Sequence, residues 1–148
     1  MNEWPRAASW LLATLGGAPS GGGPNPDAIT GIVGVHEHPA PQGAGFPLIT
    51  FQQTSTDDVA TIPEDRVWAE FEVLVTAIAV GESYSSIQAA ADEIDARLHG
   101  AEFGAGGTDA MVISSVRERP FNAPILEEGK PYRRLGGFYR LLVQPLNP

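Results

Sequence analysis

Two stretches of the chain repeat apolar residues at the spacing of an α-helix. The first covers residues 4–15, where Trp10, Leu11 and Leu15 recur on one side and Gly16 follows the last of them. Glycine tolerates the left-handed backbone conformation found just beyond a helix. A short helix is therefore predicted to begin near residue 4 and to end at this glycine.

Residues 84–99 predict a longer amphipathic helix. Its apolar side chains follow one another at helical spacing, while acidic residues occupy the remaining side, as in a helix packed on a core. The apolar positions are Ile87, Ala91, Ile94 and Leu98. Ser85 and Gln88 fit a capping box at the start of this helix, and Gly100 marks its end.

Strands are predicted where apolar and polar residues alternate or where short apolar runs lie between turn residues. They cover residues 29–36, 48–54, 66–80, 111–119 and 132–144. The third is the clearest, because its odd-numbered positions from Val67 to Val75 are all apolar. Beyond Val73 both faces become apolar, so this half is expected to be covered on both sides or to meet another subunit. The polar residues 55–58 are expected to form a turn.

The order of these elements predicts an α+β fold. Strands joined by short or medium connections favour a mostly antiparallel sheet of about four to five strands, with the two helices packed on one face. Residues 1–148 are expected to form a single domain. Residues 16–47 hold nine glycines and six prolines, so they are expected to be mainly a loop insert within this domain.

Composition narrows the class of protein without identifying it. Of the 148 residues, 43% are hydrophobic and 18% charged, which is typical of a globular chain. The longest strongly apolar stretch, residues 73–80, is far shorter than the roughly 20 residues of a membrane-spanning helix. A secretory signal is not expected, because no basic segment precedes an apolar run. The chain has no cysteine, which excludes disulfides and thiolate chemistry.

Charge is distributed unevenly along the chain. The net charge is −9, so the protein as a whole should repel nucleic acid, although a surface past which DNA slides should also be non-adhesive. Residues 1–116 hold three basic and fifteen acidic residues, a net charge of −12. Residues 117–148 hold six basic and three acidic residues, a net charge of +3. This asymmetry suggests acidic and basic surfaces that face each other within a subunit or between subunits.

Candidate catalytic motifs are weak throughout. His36 and His38 would share one face of a strand, but two ligands do not make a metal site, and a polar strand end is the simpler interpretation. The glycine runs follow a helix or precede a strand, whereas phosphate-binding loops follow a strand and open a helix. The acidic pairs at 57–58, 64–65 and 127–128 fit solvated turns better than a catalytic pair. No enzymatic activity, cofactor or metal is therefore expected.

The charged residues of the strands are better candidates for a functional surface. Arg117 and Arg119 are expected to share one strand face, as are Arg134 and Arg140, while Glu70 and Glu72 lie on the non-core face of the long strand. Such residues could form ion-pair ladders within the sheet. They could instead form a contact surface with a neighbouring copy or another partner. The interface residues proposed from the sequence are Arg117, Arg119, Arg134, Arg140, Glu70 and Glu72.

The pattern of elements resembles the tail terminator, or tail-completion, family of long-tailed bacteriophages. The resemblance rests on an N-terminal helix followed by segments that fall in the same order as in that family and span most of residues 1–145. These segments are residues 46–52, 67–73, 89–100, 115–120 and 132–143. The long Gly/Pro-rich insert at 16–47 departs from the family pattern.

The resemblance implies a structural virion protein of the neck region that is assembled in the host cytoplasm. Its copies would form a homohexameric ring at the head-proximal end of the tail tube, stop tube polymerisation and provide the surface for head attachment. The implied partners are other copies of the chain, the tail tube protein and a head–tail connector or stopper protein. DNA would pass through the channel without specific binding, and no membrane or cofactor is involved.

Two alternatives remain at this stage. The chain could be another neck component, namely a connector or stopper protein. It could also be a small soluble ligand-binding or enzymatic α+β domain, which would remain monomeric beside tail tube protein.

Overall fold

A computed structural model describes residues 4–16, 29–61, 65–81, 84–99, 101–105 and 110–145. Its elements are α1 (Trp4–Thr14), β1 (Gly34–Glu37), β2 (Leu48–Thr61), β3 (Asp65–Val80), α2 (Ser85–Leu98), β4 (Ala101–Ala105), β5 (Ala110–Glu127) and β6 (Lys130–Pro145). Both helices lie where their apolar spacing predicts them. Gly16, two residues after the end of α1, has a φ of 84°, as expected for a glycine that follows a helix.

In the described part of the chain, six strands form one sheet in the order β1-β2-β3-β6-β5-β4. The β1–β2 pair is parallel, and the other four pairs are antiparallel. The predicted α+β class and the mostly antiparallel sheet are therefore confirmed. The longest strands, β3, β5 and β6, lie side by side, so the centre of the sheet is built from the second half of the chain together with β3.

Both helices pack on one face of the sheet, as predicted, and form the core there. The odd-numbered residues of β3 from Ala69 to Ala79 face this core and are at most 4% exposed. Ile87, Ile94 and Leu98 of α2 are fully buried against the same face. From α1, the Trp4 ring lies 5.5 Å from the Phe71 ring, which joins that helix to β3. The opposite side of the sheet, here called the outer face, bears no helix among the described residues.

Several strands differ from their predicted bounds. The first strand covers only Gly34–Glu37, and residues 17–28 of the predicted insert lie outside the described part. The predicted turn at 55–58 is wrong, because β2 continues to Thr61 and remains paired with β3. In the same way β5 continues to Glu127, past the predicted end at Arg119. The capping box is also wrong, since Tyr84 and not Ser85 occupies the N-cap, and the Tyr84 side chain makes no capping hydrogen bond.

The outer face is covered at one end by parts of the chain other than helices. Leu74 and Thr76 of β3 point to this side and are 6% and 0% exposed. Residues 38–47, which connect β1 to β2, run beside this end, where the Phe46 ring lies 5.3 Å from the Tyr132 ring of β6. From residue 73 to residue 77, β3 is thus buried on both sides within one subunit, whereas Val80 at its end is 51% exposed.

Gly136 allows β6 to approach β3 closely beside this covered end. A Cβ atom at this position would lie 1.9 Å from the Val75 carbonyl oxygen, which is part of the facing backbone. A residue with a side chain cannot occupy this place without displacing a strand.

Candidate functional site

The outer face holds most of the residues that the sequence identifies as a candidate interface. Glu70 and Glu72 are at even-numbered positions of β3, opposite the face that packs on the helices. Arg140 lies directly across from Glu72 on β6, and Arg119 of β5 lies across from Phe138. The cross-strand register therefore brings these residues together without any loop.

These side chains form a compact network, here called the charge cluster, which consists of Glu70, Glu72, Glu118, Arg119 and Arg140. The Nε atom of Arg140 lies 3.0 Å from Glu70 Oε1 and also donates a hydrogen bond to Glu118. The Nη1 atom of Arg119 lies 3.4 Å from Glu72 Oε2. Because Thr54 Oγ1 donates a 2.9 Å hydrogen bond to Glu72, β2 is also tied to the cluster.

The charge cluster remains open to solvent. The arginine side chains are 52% and 55% exposed, whereas the three glutamates are between 22% and 26% exposed. Three carboxylates and two guanidinium groups leave a net charge of −1. Exposed ion pairs contribute only about 0–1 kcal/mol each. The cluster is therefore a weak source of stability and retains guanidinium donors that a partner could use.

Arg117 does not belong to this cluster, and the prediction that it shares a face with Arg119 is wrong. The register of β5 shifts between these two residues, so that Arg117 lies opposite Tyr139 and Arg119 opposite Phe138. A bulge inserts one residue and turns the following side chains to the other face. Arg117 consequently points toward the helices, where its Nε atom lies 3.4 Å from Asp95 Oδ1.

Arg134 shares the outer face with Arg140 but occupies a different environment. Its Nη2 atom donates a 3.3 Å hydrogen bond to Thr76 Oγ1, and that hydroxyl lies 3.4 Å from the hydroxyl of Thr50. The guanidinium also lies 5.4 Å from the centre of the Phe121 ring. Burial lowers the pKa of Arg134 from its usual value, because the charged form is partly withdrawn from water.

A cavity of about 200 Å³ opens beside Arg134 on the outer face. Its walls come from the 38–47 connection, from β2 and β3, and from the hairpin formed by β5 and β6. The side chains that line it are mainly apolar, among them Phe46, Leu48, Ile78, Ile125 and Tyr132. The candidate site thus has two parts along one face: an open charge cluster and a mainly apolar cavity with one arginine.

The other candidate residues are dispersed. His36 lies in β1, His38 lines the cavity, and His99 accepts a 3.0 Å hydrogen bond from the Arg117 backbone on the helix side. No three potential metal ligands come together among the residues that the structure describes. Glu127 and Glu128 are exposed at the turn between β5 and β6. The glycine run at 21–23 lies outside the described residues.

Sequence reasoning missed three polar residues that complete the site. Glu118 joins Arg119 and Arg140, while Thr50 and Thr76 support Arg134. Each threonine interrupts an apolar run, residues 48–51 in β2 and 73–80 in β3, and this interruption was the available signal. The sequence around Glu118 carries no such signal, because the position of this residue depends on the bulge in β5.

Comparison with family models and with curated proteins identifies no relative of this chain. No model of a known protein family matches the chain, and no curated protein matches it either. None of the helices in the described part is long and apolar enough to cross a membrane.

Proposed function

We propose that this protein is a structural subunit of a phage virion, of the tail-terminator type. Its copies form a hexameric ring at the head-proximal end of the tail tube, where the ring ends tube polymerisation and provides the surface for head attachment. The protein acts in the neck of the virion, after assembly in the host cytoplasm. It has no catalytic step and needs no cofactor.

The observation that carries this proposal is the outer face of the sheet. In the described segments, helices cover only the other face, and the charge cluster remains open beside half-buried aromatic side chains. Arg119, for example, lies 3.9 Å from the centre of the Phe138 ring and is still about half exposed. Arginine and aromatic residues that are rigidly held on a sheet are enriched in protein contact surfaces.

A second charged surface lies on the opposite side of the subunit. The solvent side of α2 carries Asp92 and Glu93, both exposed, while Arg119 of β5 and Arg140 of β6 lie on the outer face. A cyclic ring needs two different patches on each subunit that complement each other. The exposed carboxylates of α2 and the half-exposed guanidinium groups of Arg119 and Arg140 support such patches.

The overall charge supports a role around a DNA channel. Because DNA affinity depends on cations that displace counterions from phosphates, a protein with a net charge of −9 retains little non-specific affinity. DNA can then pass through a ring without being held. The proposed partners are other copies of the chain, the tail tube protein and the connector or stopper protein of the head.

The test is to add the purified protein to tail tube protein from the same genome while the tube polymerises. We expect shorter tubes, with a ring visible by electron microscopy at one end only. Light scattering of the isolated protein gives its mass before and after tubes are added. A protein that stays monomeric and leaves tube length unchanged would contradict the proposal.

The same purified proteins distinguish a tail terminator from another neck component. A connector or stopper would bind the head portal and leave tube length unaffected. Binding of the protein to tubes and to heads in separate pull-down experiments therefore separates the two neck functions.

A further inference from the structure

The cavity beside Arg134 has the composition of a small ligand site. Four different parts of the chain form its walls, so its shape is set by the fold and not by one mobile loop. Apolar side chains line most of it, while Arg134 and Thr50 supply polar groups at the side nearest the sheet. Small-molecule sites typically combine a mainly apolar wall with a few polar groups that fix orientation.

Arg134 has no counter-charge within the part of the chain that the structure describes. No described carboxylate forms an ion pair with it, and its Nε atom is buried without a hydrogen-bond partner among the described residues. Its described hydrogen bond is to the neutral hydroxyl of Thr76. A partly buried charge with only neutral partners carries a desolvation cost, and a carboxylate is the group that best matches the planar guanidinium.

The acidic residue that lines the same cavity lies at its mouth. Glu127 is exposed and pairs with Lys130, whereas Arg134 pairs with Ala123, four residues further from the turn. At roughly 3.4 Å per residue, the two backbone positions are separated by about 14 Å along the strand. Glu127 therefore does not neutralise Arg134. His38 and Tyr132 are the other titratable side chains in the lining; His38 is exposed and Tyr132 is half-buried.

We propose that this cavity binds a carboxylate carried by a small apolar group, with the carboxylate on Arg134 and the apolar group against Leu48, Ile78 and Ile125. An apolar cavity of about 150 Å³ holds one benzene molecule. A cavity of about 200 Å³ has room for a group of benzoate size. The class of ligand is thus an aromatic or short aliphatic monocarboxylate, either as a free acid or as a carboxylate presented by a neighbouring polypeptide.

The test uses the full chain with benzoate and with benzamide, its neutral analogue of the same shape. Calorimetric titration gives the affinities, and NMR shifts of the Ile78 and Ile125 methyl groups show where each compound binds. We expect benzoate to bind at least about tenfold more tightly than benzamide. A hydrogen bond between two charged groups is stronger than one to a neutral group by about this factor in affinity. Equal affinities, or no shift at either isoleucine, would overturn the proposal.

Variants test whether Arg134 is the residue that binds the carboxylate. Arg134→Gln should lower benzoate affinity to that of benzamide. Arg133→Gln should leave it unchanged, because Arg133 is the adjacent arginine and its guanidinium lies 5.4 Å from the Tyr84 ring, away from the cavity. Loss of binding in Arg133→Gln alone would contradict the assignment. Should Arg134→Gln fail to fold, Ala40→Trp places a large side chain at the cavity wall and should abolish benzoate binding.

A further measurement distinguishes the two sources of the carboxylate. If a neighbouring subunit supplies it, saturating benzoate should weaken self-association of the protein, as seen by analytical ultracentrifugation. If the natural ligand is a free acid, self-association should not change. Both results support a carboxylate site and differ only in the source.

Discussion

Tyr139 shows how a single residue joins the sheet to the helix layer. Its ring is 1% exposed in the core, and its hydroxyl donates a 3.1 Å hydrogen bond to Asp95 of α2. Burial raises the pKa of Tyr139 well above its usual value, and the nearby Asp95 carboxylate raises it further. The native protein therefore holds this proton more tightly than the unfolded chain does.

This difference predicts a loss of stability at alkaline pH. Below pH 10 the tyrosine is protonated in both states, so its contribution is complete. Above pH 10 the unfolded chain releases the proton while the native state keeps it, so the free energy of unfolding should fall by up to about 1.4 kcal/mol per pH unit. Urea unfolding of the wild type and of Tyr139→Phe between pH 8 and about 11 tests this. An equally steep fall in the variant would contradict the assignment.

Gly136 provides a second prediction for one residue. Gly136→Ala places a methyl group against the Val75 carbonyl oxygen, and we expect it to lower the free energy of unfolding by at least about 1–3 kcal/mol. Gly34→Ala in β1 is the matched control. Its new Cβ atom would meet the end of the His36 side chain at 2.9 Å, and that side chain can move. Similar losses in both variants would show that a general cost of replacing strand glycines, and not the close approach to Val75, is responsible.

The face on which a charged residue lies could be predicted only where the strand is regular. Alternation correctly placed Glu70, Glu72 and Arg140 on the outer face. It failed between Arg117 and Arg119, because a bulge is one extra residue and no sequence period announces it. Arg134 was placed on the correct face, but its cavity depends on residues from β2 and β3 that only the fold brings together.

At the scale of elements, Arg97 connects the two helices. Its Nη1 atom donates a 3.2 Å hydrogen bond to the Thr14 carbonyl oxygen, at the end of α1, and its Nε atom pairs with Glu93 at 3.0 Å. The last carbonyl groups of a helix have no partner within that helix. A side chain of α2 thus supplies a donor to one of the last carbonyl groups of α1.

We expect Arg97→Ala to lower the free energy of unfolding by about 1–1.5 kcal/mol, since the Thr14 carbonyl loses its charged donor. Glu93→Gln is the control, because it removes only an exposed pair on one helix and should cost about 0.5 kcal/mol or less. Urea denaturation measures both. If Glu93→Gln costs as much as Arg97→Ala, the ion pair and not the link between helices carries the effect.

The existence of most elements followed from the sequence, while the ends of the strands did not. The helices have complete apolar stripes, so their bounds were predicted within a residue or two. The strand β2 extends past its apolar part because it continues to pair with β3, and backbone pairing leaves no mark on the side-chain pattern. In the same way, β5 extends past its predicted end because it continues to pair with β6 as far as the turn. The four-residue β1 is too short for any periodicity to define its partner.

For the molecule as a whole, the open question is whether the arginines of the outer face act between subunits. Within one subunit Arg140 already has Glu70 and Glu118 as partners. If these exposed pairs are its whole role, they contribute about 0–1 kcal/mol each and matter little for assembly. If a neighbouring subunit covers them and excludes water, removal of one partner should cost about 2–5 kcal/mol of association and mostly speed dissociation.

The double variant Arg134→Ala with Arg140→Ala distinguishes these cases. We expect the isolated subunit to keep most of its thermal stability, because Arg140 is 55% exposed, and to lose the ability to form rings or to limit tube length. Arg133→Ala is the matched control from the helix side of the same strand and should assemble normally. High salt should weaken assembly of the wild type in parallel, since partly exposed charge contacts are screened. A large loss of subunit stability with intact rings would instead assign these arginines to ladders within the sheet, and the subunit contact would then have to lie elsewhere.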